Sequence, residues 1–172
     1  PEAVRKIISS GFNLTQKFTP DSVGQGRVED VFKGRLIGGG HRQDKSIYTN
    51  AEISSPTVSV SSVFITIQIA AAENNEVRTL DIGSAYLNAE WPKGDADKIV
   101  HMSIGAEVAA ILTELDQSFL PFVRNDGSVT VELDVALYGC AESAVLWFNH
   151  ITSFLLSIGF VQNPLDHCVF NR

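Results

Sequence analysis

Cysteine is scarce, long apolar runs are missing and basic residues are outnumbered, and each shortage removes a class of protein. Two cysteines, Cys140 and Cys168, in 172 residues cannot build a disulfide framework, so a reducing intracellular compartment is the default. His41, His101, His150 and His167 stand at no zinc-ligand spacing with either cysteine, so no structural metal site is suggested. The longest apolar stretch, near residues 63–72, is interrupted by Thr66 and Gln68 and is too short to span a bilayer. The N-terminus does not join a basic start to an apolar run and a small-residue cleavage site, so no secretory signal is read. Neither a GxxxxGK[ST] nor a GxGxxG phosphate-binding signature occurs, and no internal repeat is visible. Thirteen Lys and Arg against 20 Asp and Glu leave a formal charge of −7, which argues against a dedicated nucleic-acid surface.

What is present is an ordinary globular composition, 44% hydrophobic and 19% charged, on a chain long enough for one sizeable core or a main domain with a small lobe. The chain starts at Pro1 and ends at Arg172, and it is expected to be a piece of something longer. Its organising stretch is Thr79-Leu80-Asp81-Ile82-Gly83-Ser84-Ala85-Tyr86-Leu87-Asn88-Ala89. A short strand over 76–80 is expected to end in an exposed Asp81 and turn at Gly83 into a close-packed helix carrying Tyr86. An acid in that position is, on its own, commonly a turn former or helix cap.

Around that stretch the pattern predicts an α+β domain. Residues 5–18 and 28–37 flank a turn-rich loop at 19–26 and read as a β-hairpin. In its second strand Lys33 and Arg35 alternate with apolar or small neighbours and share a face. The run Gly38-Gly39-Gly40-His41-Arg42-Gln43 follows, in which backbone N–H groups can approach an anion. The two cations and the glycines could hold a polyphosphate, but a solvated strand face followed by a loop is the reading the residues favour. Residues 57–74 fit both helical and alternating periods, with length and the Ser-Ser-Pro start favouring a helix. A strand at 99–102, a helix over 104–115, and a hairpin of 119–124 with 129–133 around Asn125-Asp126-Gly127 come next. The last helix, through Val145, Phe148, Thr152, Leu155 and Ile158, stops at Gly159, and apolar pairs on either side of 163–166 end the chain.

Four stretches, in this order, resemble the reverse transcriptase region of copia-type retrotransposons almost end to end. Phe32-Lys33-Gly34-Arg35-Leu36-Ile37 through Gln43 is similar to the family's Lys-Ala-Arg-Leu-Val fingers signature. Leu80 through Asn88 is similar to its Leu-Asp-Val-x-x-Ala-Phe-Leu-Asn palm motif. Ala136-Leu137-Tyr138-Gly139-Cys140-Ala141-Glu142-Ser143 resembles Ala-Leu-Tyr-Gly-Leu-Lys-Gln-Ser, and Gly159-Phe160 with Asp166-His167-Cys168-Val169-Phe170 resembles Gly-Phe with Asp-x-Cys-x-Phe.

The resemblance implies a fingers and palm fragment of an RNA-directed DNA polymerase, an antiparallel sheet with packed helices, with fingers over 1–75 and partial palm over 76–172. It implies a two-metal nucleotidyl transfer with two Mg²⁺ ions, Asp81 bridging them and Ile82 lending a backbone carbonyl. Lys33 and Arg35 would meet the triphosphate, Tyr86 would act as a steric gate against a ribose 2′ hydroxyl, and Tyr138, Gly139 and Ser143 would line the nucleotide and template side. RNA or DNA template-primer and dNTPs are the implied partners, with protease, integrase and RNase H parts in the parent polyprotein, no membrane, and an intracellular, cytoplasmic setting that includes virus-like particles. Two further palm acids, on an Asp-Asp hairpin, are expected just beyond Arg172. Gly34, Ala141, Glu142 and Ala144 depart from the common residues, and with the acidity they support an alternative: a degenerate or domesticated non-catalytic remnant acting at most as an interaction module. For Cys140, a small buried hydrophobe is the expectation.

Overall fold

A computed structural model describes residues 7–20, 28–93 and 99–172. It shows a mixed α/β arrangement. The strand β1 (Ile7–Pro20) pairs antiparallel with β2 (Val28–Gly38), so the N-terminal hairpin forms, while most of its predicted turn lies outside the described residues. A four-residue helix, α1 (Asn50–Ile53), leads to α2 (Val60–Ala72). Next come β3 (His101–Ile104), α3 (Ala106–Leu115), β4 (Val129–Glu132) and the long α4 (Ser143–Ser157). A small antiparallel pair, β5 (Val161–Gln162) with β6 (Phe170–Asn171), closes the order.

The main sheet runs β2-β1-β3-β4, and this corrects one expectation. The sheet is not wholly antiparallel: Ile7–Ser9 of β1 lies parallel to His101–Ser103 of β3. The two strands are joined by a long connection that includes α1 and α2, and only a connection of that kind returns the chain to run alongside in the same sense. Beneath this seam Ile8, Met102, Ile104 and Val129 form the dry centre, with Trp91, Leu137 and Cys140 closing it from the loops. At the seam His101–Ile104 buries alternate side chains, Met102 and Ile104.

Beyond its root the hairpin is solvated. Phe12, Leu14 and Phe32 are exposed, whereas Leu36 packs against the core and Gly38 is buried. Methyl-sized groups are excluded where the hairpin meets the rest of the chain, as described below.

The ambiguous 57–74 segment is a helix. Its start is capped twice: the Ser59 hydroxyl accepts from Ser62 N–H at 3.0 Å, and the Asp166 carboxylate accepts from Ser59 N–H at 2.9 Å. None of its residues is buried, and Phe64 is 63% exposed. Apolar residues surround the whole helix rather than one face, which explains why helical and strand periods competed in the sequence.

Two further expectations are corrected. Residues 76–80 make no strand; Leu80 is 90% exposed, because no strand among the described residues offers this segment a ladder to join. The first arm of the predicted 119–124 hairpin is a 3-10 helix, Gln117–Phe122, with Pro121 inside it. Proline cannot donate to a ladder, and pairing survives only as the single Val123–Val129 bridge next to the turn. The Asn125-Asp126-Gly127 turn itself forms, closed by Asp126 accepting from Ser128 N–H at 3.0 Å.

Candidate functional site

Residues 83–91 are laced to the segment before α4. Ala136 N–H donates to Ala89 O at 2.8 Å, Trp91 N–H to Asp134 O at 2.9 Å, and Glu90 bridges Val135. Ala89 and Trp91 are buried by this seam. On the solvent side, a 3-10 turn Ala85–Asn88 brings the Tyr86 ring onto Tyr138 with centroids 4.7 Å apart, tilted by 36°. The turn is entered through Ser84 in the left-handed region (φ 52°), and the Asn88 amide closes it by donating to Ser84 O at 3.2 Å. Two of the predicted site aromatics, distant in sequence, therefore make one surface.

Tyr138 and Gly139 are held from behind by the glycine run. Gly38 N–H donates to Tyr138 O at 2.7 Å and Gly40 N–H to Gly139 O at 3.1 Å, while Gly39 N–H donates to Ser9 O at 2.7 Å. These three N–H groups are spent on backbone carbonyls and all three glycines are buried, so none of the three N–H groups is free to meet an anion. Glycine is required because the two backbones touch. A Cβ at Gly40 would fall on the Gly139 carbonyl, and one at Gly139, whose φ is +91°, on the Gly38 carbonyl.

The same contact contains side chains that sequence reasoning passed over. The Gln43 amide accepts from Ala141 N–H at 2.7 Å and donates to Glu142 at 2.9 Å. Tyr48 lines the same cavity as Glu142, and burial, then the nearby carboxylate, raises the pKa of its hydroxyl. Gln43 and Glu142 are both buried. The signal available in sequence was the recurrence of Gln43 and position 142 inside two separate motifs; nothing in either motif said that they meet.

Ser143 is fully buried, and its hydroxyl donates to Leu137 O at 2.6 Å, so it stands behind any surface that a ligand could touch. Cys140 is buried as expected, and its thiol is pushed up to about 12, mainly by burial and then by the Glu142 charge.

Lys33 and Arg35 lie on the solvated part of β2, opposite Thr15 and Asn13, and both are exposed. Asp81 is exposed at the free end of the 76–82 segment. Among the described residues, no hydrogen bond or ion pair links Lys33, Arg35 or Asp81 to the Tyr86–Tyr138 surface, and no three His, Cys, Asp or Glu side chains gather as a metal-binding group. The Asp81 carboxylate and the Ile82 carbonyl are hard oxygen donors of the kind Mg²⁺ takes, but they are too few to enclose an ion. They fit a metal shared with other ligands. Among the described residues, no helix is long and apolar enough to cross a membrane.

Residues 13–172 match the family described as reverse transcriptase (RNA-dependent DNA polymerase), and the chain belongs to that family. It is similar to the Retrovirus-related Pol polyprotein from transposon TNT 1-94 of Nicotiana tabacum, 28% identical over 139 residues, which covers 81% of this chain and 9% of the relative. It is also similar to the Retrovirus-related Pol polyproteins from transposons RE1 and RE2 of Arabidopsis thaliana, each 26% identical over 164 residues, covering 95% of this chain and 10% of the relative. The chain thus spans about a tenth of the length of these relatives. No solved structure matches it.

Proposed function

We propose that the chain is the fingers and part of the palm of a retrotransposon reverse transcriptase, carried in a Pol polyprotein with protease, integrase and RNase H parts. Fingers correspond to residues 1–75 and partial palm to 76–172, in one body whose sheet is continuous across that division. The observation that carries the reading is the Tyr86–Tyr138 contact, which joins the second and third motifs through two half-buried rings with centroids 4.7 Å apart.

In this reading Tyr138 and Gly139 form the wall of the nucleotide pocket, and Ser143 holds that wall from beneath. Tyr86 lies under the sugar and excludes a 2′ hydroxyl. Lys33 and Arg35 attract the triphosphate of the dNTP, and their alternate spacing on β2 supports a common face for both. Asp81, with the Ile82 carbonyl, contributes to a pair of Mg²⁺ sites completed by other carboxylates and by substrate phosphates. When bound, such ions neutralise charge on the transferring phosphoryl group and lower the pKa of the attacking hydroxyl. Template-primer, RNA or DNA, is the macromolecular substrate of the complete enzyme.

One carboxylate cannot hold two divalent ions amid triphosphate charge, so the 172-residue chain alone is expected to give no primer extension with Mg²⁺. Clear incorporation above background would refute this. In a longer protein that polymerises, Asp81→Asn is expected to abolish incorporation, whereas Tyr86→Ala mainly relaxes discrimination against ribonucleotides. Equal loss of both properties in the two variants would overturn the separate roles. If no longer form polymerises, the chain is a non-catalytic remnant.

A further inference from the structure

We infer that Gln43 and Glu142 form a positioning clamp that sets the Tyr138–Gly139 turn, and through it the Tyr86–Tyr138 surface. The inference deepens the proposed function and rests on it where nucleotide binding is concerned; the clamp itself stands on geometry alone.

With its oxygen accepting from Ala141 N–H, the Gln43 amide must present its nitrogen to Glu142, as observed. Both side chains are buried, so each satisfies the other away from solvent. Glu142 also occupies the N-cap position of α4, where its carbonyl accepts from Val145 and Leu146 N–H at 3.0 Å each, and where a negative charge is favoured by the helix N-terminus.

The clamp therefore grips the chain just beyond Tyr138-Gly139-Cys140, while the Gly38 and Gly40 bonds grip it at Tyr138 and Gly139. Of the two grips, only the clamp is made of side chains. Its loss leaves buried polar groups without partners directly beside the turn, and low surrounding polarity makes that loss costly. The core seam between β1 and β3 contains neither Gln43 nor Glu142 and is left in place. The clamp residues touch neither substrate nor metal in this reading, so they are positioning residues.

Cys140 reports on the turn. Its thiol is buried under Gly38 and Ile8, so it reacts only when the turn opens. In the full chain carrying Cys168→Ser, iodoacetamide labelling of Cys140 is expected to accelerate about tenfold in Glu142→Ala and in Gln43→Ala. Glu142→Gln keeps an acceptor for the Gln43 amide and is expected to label within about threefold of the parent. Far-UV circular dichroism checks folding; should the alanine variants unfold, Gln43→Met, which removes the amide at nearly the same size, is the deciding variant and is expected to label faster than the parent. Labelling of the folded alanine variants at the parental rate, or of Glu142→Gln as fast as Glu142→Ala, overturns the clamp.

The functional arm uses a longer protein that polymerises. There Glu142→Ala is expected to raise the KM for dNTP about tenfold with a smaller change in kcat, and Glu142→Gln to restore it. An unchanged KM alongside accelerated labelling overturns the link to nucleotide binding. Failure of every longer form to polymerise defeats the proposed function instead, and the labelling arm still decides the clamp.

Discussion

A single methyl group at Gly40 should uncouple the N-terminal hairpin from the Tyr138–Gly139 turn. In Gly40→Ala the new Cβ falls on the Gly139 carbonyl oxygen and lies 2.8 Å from the Gln43 amide oxygen and 3.0 Å from Cys140 Cα. The Gln43 side chain can swing aside, but the two backbone atoms cannot move without the turn. Overpacking of this kind costs about 1–3 kcal/mol. Separating the backbones also breaks the 3.1 Å bond from Gly40 N–H to Gly139 O, and a buried donor without a partner costs about 1–3 kcal/mol more. The expected total is about 2–6 kcal/mol, a large part of the roughly 5–15 kcal/mol that holds a domain folded. At a typical slope of about 2 kcal/mol per molar urea, a loss of about 3 kcal/mol lowers the unfolding midpoint by about 1.5 M. Gly83→Ala is the matched control: nothing lies within 4 Å of its Cβ position, and the change should be neutral or stabilising by up to about 1 kcal/mol. Equal midpoints for the two variants in urea denaturation would refute the backbone contact as the reason for glycine at position 40.

Two further outcomes follow from hydrogen bonds that cross between elements. The Asp166 carboxyl is held down to about 2 from an ordinary 3.8 by the Ser62 hydroxyl and by the Ser59 and Cys168 N–H groups, so its contribution is complete above about pH 4 and is lost as the pH falls through about 2. Thermal melts should show a stability advantage of the parent over Asp166→Asn at pH 5 that disappears near pH 2; a gap independent of pH would rule out the charged cap on α2. Ser143→Ala should cost about 1–3 kcal/mol in urea unfolding, because Leu137 O loses its 2.6 Å donor in a buried setting, and an unchanged midpoint would show that this carbonyl finds another partner.

Much of the local structure was legible in the sequence because it depends on neighbours a few residues away. The hairpin of β1 and β2, the helices α3 and α4 and the turn at 125–127 follow from periodicity and turn residues. The four motifs and their order were enough to recognise the family that residues 13–172 match. The segment at 76–80 misled because a strand is a property of two chains: Val77 and Leu80 suit a ladder, but no described strand is there to pair with them. The 119–124 arm misled because Pro121 outweighed its apolar neighbours.

Sequence by itself determined that Asp81 stands before a turn, that Lys33 and Arg35 alternate on a strand, and that Tyr86 and Tyr138 belong to motifs; these are facts of order and spacing along one chain. Only the tertiary structure decided which motifs touch. It spent the N–H groups of the glycine run on the Tyr138–Gly139 turn, buried Ser143 behind that turn, and joined Gln43 to Glu142 across 99 residues. The physical reason is that a buried polar group must find its partner wherever the fold brings one, and separation along the sequence carries no record of that choice.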